Sequence, residues 1–103
     1  MDRPSGRERR SSVRVPLGCE ATILPAAPIP RCAAVCLEIG VGGMTLLTDY
    51  VPREDEVFEV MVRPPGDDPF EEKVMHSRVK VRRCQSASDG RFELGVQIIE
   101  VLK

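Results

Sequence analysis

The chain has 103 residues, 42% hydrophobic and 30% charged, with a formal net charge of -1. That is the length of one small domain with an ordinary globular composition, which excludes a collagen-like repeat or an intrinsically disordered chain. No apolar run approaches the roughly 18 residues of a helical membrane span.

The charge is unevenly placed. Residues 1–16 form a basic arm in which Arg3, Arg7, Arg9, Arg10 and Arg14 stand against Asp2 and Glu8. The rest of the chain has more acids than bases. A basic arm on an acidic body points to a small, local anionic partner and argues against a broad polyanion surface. A solvated tail accounts for the same arm taken alone. The N-terminus has no apolar h-region, so the expectation is a cytoplasmic chain with Cys19, Cys32, Cys36 and Cys84 reduced.

From residue 17 onward the apolar residues alternate with period two. Strands are expected over 17–25, 31–39, 43–48, 56–63, 70–85 and 91–101. "CEATIL" opens the series. "AAVCLEI" is nearly all apolar, which suits a central strand buried on both faces. "VFEVMVR" is a further short run. "HSRVKVRRC" sets Val79 and Val81 against Arg78, Lys80 and Arg82. "FELGVQI" puts Phe92, Leu94, Val96 and Ile98 on one face. Between the runs, "PAAPIP", "GVGG", "DYVPREDE", "RPPGDDP" and "SASDG" supply turn residues. With no helical period between them, six strands predict an all-β antiparallel fold, and a small closed barrel removes the exposed edges. The expected organisation is an arm over 1–16 and a barrel over 17–103.

Two stretches speak about function. In "RRSSVRVP", Arg10 and Arg14 are four apart and Arg9 adjoins Arg10. Guanidinium forks pair with phosphate oxygens, and their flat faces stack on purines. In "EIGVGGM", Gly40, Gly42 and Gly43 allow positive φ and close approach of a ligand. Glu38 offers a carboxylate able to accept two hydrogen bonds from a guanine edge. A plain turn with Glu38 in solvent explains the same residues. His76, the only histidine, has no convincing nucleophile beside it, so no enzyme is expected. Cys32 and Cys36 share a strand face and suit core packing rather than zinc. Arg78, Lys80, Arg82 and Arg83 read as a polar outer strand face, with an extension of the nucleotide surface as the alternative.

Together, Arg10 and Arg14, then Glu38, Gly40, Gly42 and Gly43 at a strand-to-strand turn, and the closing "FELGVQIIEV" resemble the PilZ domain family. That resemblance implies a bacterial six-stranded antiparallel barrel with a flexible N-terminal arm, whose better-known members bind cyclic di-GMP. It implies ligand-binding roles for Arg9, Arg10, Arg14, Glu38, Gly40, Gly42 and Gly43, with no catalytic residue and no metal. Cyclic di-GMP is the expected ligand and no further cofactor is implied. The expected partner is an unidentified effector protein, with neither membrane nor nucleic acid involved. Glu38 stands where the family has Asp or Asn, and Gly40 where it has Ser. Those departures support an alternative, a PilZ-like protein-interaction module that no longer binds nucleotide, as around type IV pilus assembly. A nucleic-acid-binding barrel wants aromatic platforms, and this chain has only Tyr50, Phe58, Phe70 and Phe92.

Overall fold

The computed structural model describes residues 15–63 and 74–102. Arg9, Arg10 and Arg14 lie outside the described residues.

The described chain is all strand and turn: β1 (Val15–Leu24), β2 (Cys32–Ile39), β3 (Gly43–Thr48), β4 (Val57–Val62), β5 (Met75–Ser86) and β6 (Phe92–Val101). Every neighbouring pair is antiparallel, and the sheet closes on itself in the order β1-β2-β3-β6-β5-β4. Closure gives both edges of each strand a partner, so no ladder is left open.

The period-two pattern is what fills the barrel. Ala21 and Ile23 of β1, Ala34 and Cys36 of β2, Met44 and Leu46 of β3 all point inward. Phe58, Val60 and Val62 of β4, Val79 and Val81 of β5, and Leu94 and Val96 of β6 complete the core. Successive side chains alternate faces, so each strand contributes every second residue. Strand β2 departs from expectation. It buries one face, with Ala33 exposed and Val35 and Leu37 half-buried between the inward residues. A small barrel has one interior, so even an apolar strand leaves its other face to solvent.

His76 and Ser77 take opposite faces of β5. Ser77 is buried, while His76 is half-buried with Nε2 2.7 Å from Glu59 Oε1. Cys36 lies fully in the core, Cys32 packs partly against it, and all four thiols are unpaired.

The β3–β4 connection is tied by polar contacts against the core. Tyr50 packs edge-on against Phe58 with ring centroids 6.0 Å apart. Its hydroxyl donates to Glu56 Oε2 at 2.5 Å, and the Arg53 amide donates to Glu56 Oε1 at 2.8 Å. Burial, reinforced by the Glu56 carboxylate, pushes the Tyr50 hydroxyl up to about 12 from an ordinary 10.0. Burial, with Cys19 opposite, pushes the Cys36 thiol up to about 11 from 9.0. Both groups hold their protons more tightly when folded than when unfolded. Their contribution is therefore complete below pH 9 and fades as pH rises through 9–11 for Cys36 and 10–12 for Tyr50. Thermal melts between pH 8 and 12 should show the decline beginning near pH 9. Tyr50→Phe should flatten the part of it above pH 10; a curve parallel to wild type would remove Tyr50 as its source.

Candidate functional site

Three of the four register slips among the described strand pairs gather at one level of the barrel; the fourth, between Arg78 and Val79 against β6, lies away from it. Between Cys36 and Glu38 the β2–β3 register slips, with Leu37 as the extra residue. Between Pro16 and Cys19 the β1–β2 register slips as well, and Gly18 takes φ +68° there. On the far side, β5 inserts Arg82 between Val81, opposite Val96, and Arg83, opposite Gly95. Bulges re-aim side chains and cluster near binding sites.

Their effect is specific. Cys36 and Val81 point inward. By simple alternation, residues two further on would point inward as well. Each bulge adds a residue, so Glu38 and Arg83 instead share the outer face with Thr45 and Gly95, which alternate with the inward Met44, Leu46, Leu94 and Val96. The result is one transverse row across five strands: Pro16, Glu38, Thr45, Gly95 and Arg83 are successive cross-strand partners.

The glycine turn caps the two strands that carry Glu38 and Thr45, the second and third members of this row. Gly40 N donates to Gly43 O at 2.8 Å, closing the β2–β3 connection, and Ile98 N donates to Gly42 O at 2.9 Å, tying the turn to β6. Val41 at its tip is 92% exposed. The positive-φ glycines among the described residues are Gly18 and Gly90, not the three turn glycines. The three turn glycines therefore do not use the positive φ that their lack of a side chain allows, and the three-residue connection Gly40, Val41 and Gly42 closes through the Gly40–Gly43 hydrogen bond without it. What Gly42 offers is open space, since a Cβ there would meet nothing within 4 Å.

Beside the turn lies an open cavity of about 220 Å³, lined by Gly42, Gly43, Arg82, Arg83, Gly95 and Gln97 among others. The structure therefore brings Glu38, Gly40, Gly42 and Gly43 together. It adds two arginines, Arg82 and Arg83, to the wall of this cavity, and simple alternation would have turned the second of them inward. Val15 pairs with Ile39 and Pro16 with Glu38, so the described chain begins beside this turn.

A family model described as PilZ domain matches residues 8–102. The chain belongs to the PilZ domain family. Solved PilZ structures share its fold. The structure of the Bacillus subtilis inhibitor of motility MotI/DgrA superposes with a TM-score of 0.74 at 17% identity, covering 90% of this chain and 44% of that one. The PilZ domain of YcgR from Escherichia coli, solved with c-di-GMP, superposes with a TM-score of 0.66 at 15% identity, covering 88% and 78%. The chain thus spans less than half the length of the MotI/DgrA structure. No curated protein matches the chain at a significant level. PilZ domains are receptor or adaptor modules. Among the described residues no helix is long and apolar enough to cross a membrane.

The residue of this outer row that strand alternation hides in this PilZ barrel is Arg83. Its signal was the doublet in "KVRRC", where two consecutive charges interrupt an alternation that Val79 and Val81 had set. A slip of one residue is the simplest way to keep both charges out of the core.

Proposed function

We propose that this PilZ domain is a receptor for cyclic di-GMP, with Arg9, Arg10 and Arg14 and the residues Glu38, Gly40, Gly42 and Gly43 forming one site. The observation that carries the reading is the register at the start of β1. Val15 pairs with Ile39 and Pro16 with Glu38. Arg14 is one peptide from Val15, about 3.8 Å between Cα atoms, so its tether ends beside the glycine turn. Arg10 is four residues further and within roughly 14 Å of extended chain from Arg14. The YcgR domain solved with c-di-GMP lends the ligand its plausibility, through shared fold.

In this reading Arg10 and Arg14 hold phosphates and stack on guanine, with Arg9 assisting. Glu38 accepts from a guanine edge, and the turn leaves room for the ligand against the barrel. The ligand ties the arm to the barrel and creates a surface that an effector protein reads. No bond in the ligand is made or broken. The bacterial cytoplasm is the setting this reading implies, and the unpaired cysteines suit it.

Titration calorimetry of the intact chain with cyclic di-GMP, controlled with GTP and cyclic di-AMP, tests it. Wild type should bind, and Arg10→Ala/Arg14→Ala should bind roughly 10²-fold or more weakly, since each lost charge-assisted contact costs about 1.5–3 kcal/mol. Equal heats from both proteins, or none from either, would end the proposal. The second outcome favours the interaction-module reading, which the Glu38 and Gly40 departures support.

A further inference from the structure

We infer that Arg83 is a further ligand-contacting residue of this site, its guanidinium forming a stacking wall for a guanine base beside the glycine turn. The inference rests on the cyclic di-GMP reading and extends it to β5.

Three observations converge on Arg83. The bulge at Arg82 carries Arg83 to the outer face, in the same transverse row as Glu38. Without that inserted residue Arg83 would follow Val79 and Val81 into the core. Next, its partner across the ladder is a glycine. A Cβ on Gly95 would lie 3.2 Å from both Cζ and Nη2 of Arg83, so the guanidinium rests against the backbone where a side chain would stand. Contact with Gly95 holds one side of the planar group and leaves the rest toward the cavity. Last, that cavity of about 220 Å³ has the Gly42–Gly43 backbone as another part of its wall.

The two arginines of the bulge differ. Both border a second cavity with Pro52, Arg53 and Asp55, but Arg82 is drawn to its acid side, with Nη1 4.0 Å from Asp55 Oδ1. Arg83 forms no ion pair with a carboxylate among the described residues. Every purine has a π-face, and an arginine plane stacks on it while its edge remains available for an anion. A lysine at the same place keeps the charge and loses the plane.

The test is calorimetric titration of intact wild type, Arg83→Ala, Arg83→Lys and Arg10→Ala/Arg14→Ala with cyclic di-GMP, alongside thermal melts of each. Arg83 is exposed, so both of its variants should melt as wild type does. Arg83→Ala should weaken binding roughly five- to thirtyfold, and Arg83→Lys should recover less than half of that loss in free energy. Wild-type affinity in Arg83→Ala, with binding lost in the arm variant, would overturn this inference and leave the receptor reading standing. Full recovery by Arg83→Lys would overturn the stacking role. No heat from wild type itself would overturn both.

Discussion

Changing Glu38 to Asp and Gly40 to Ser in one chain should tighten cyclic di-GMP binding by roughly 10²- to 10³-fold. Aspartate is one methylene shorter, so the carboxylate withdraws by about 1.5 Å along its side chain. Glu38 is fixed at its root, paired with Pro16 on one side and Thr45 on the other, so the backbone cannot move back to compensate for a long side chain. A correctly seated carboxylate contributes about 1.5–3 kcal/mol through charge-assisted bonds. Serine at position 40 supplies a hydroxyl, about 1 kcal/mol, or roughly fivefold by itself. The backbone accepts the change, because Gly40 is not in the left-handed region and its contact to Gly43 is made by the amide. Calorimetry on both single variants and the double separates the terms. Gly40→Ser alone should give the small step and Glu38→Asp the larger one. Wild-type affinity in all three would mean that the row does not meet the ligand.

The barrel was legible because alternation is a strong signal where one face is buried. "FELGVQI" and "HSRVKV" announce β6 and β5, and the Leu94, Val96, Val79 and Val81 they imply are core residues. Strand register was not legible, because it depends on how the sheet closes rather than on any local run. Leu37 reads as an ordinary apolar strand residue, yet it is the insertion that sets Glu38 outward. Gly18 lies in "LGCE", with no turn signature around it, and takes the positive φ that the glycine-rich turn does without. Half the candidate site was therefore visible as composition, in the glycines of "EIGVGGM". The other half, Arg83 seated on Gly95, exists only through a cross-strand pairing of residues twelve apart in the chain.

The largest effect on stability is expected from Ile23→Ala, a loss of about 2–5 kcal/mol. Ile23 has no exposed surface and is paired with Cys32 of β2 on one side and Val60 of β4 on the other. It lies at the seam where the sheet becomes a barrel, and the β1–β4 pairing there spans only Ala21–Leu24 against Glu59–Val62. A cavity at this point removes contacts from both flanking strands and loosens the short ladder that hides two edges. For a domain of this size each kcal/mol lowers the melting temperature by roughly 4–8 °C, so a fall on the order of 10 °C or more is expected. Ile23→Val, which removes one methyl group, should cost only about 0.5–1.5 kcal/mol. Denaturant unfolding gives the magnitudes, and amide exchange gives the place. Faster exchange confined to the β1–β4 ladder marks local opening, whereas uniform acceleration marks global loss. Because β1 also anchors the start of the described chain beside Glu38, an opened seam should weaken nucleotide binding even in molecules that remain folded. A small and equal cost for both substitutions would show that closure draws its stability from the other five ladders.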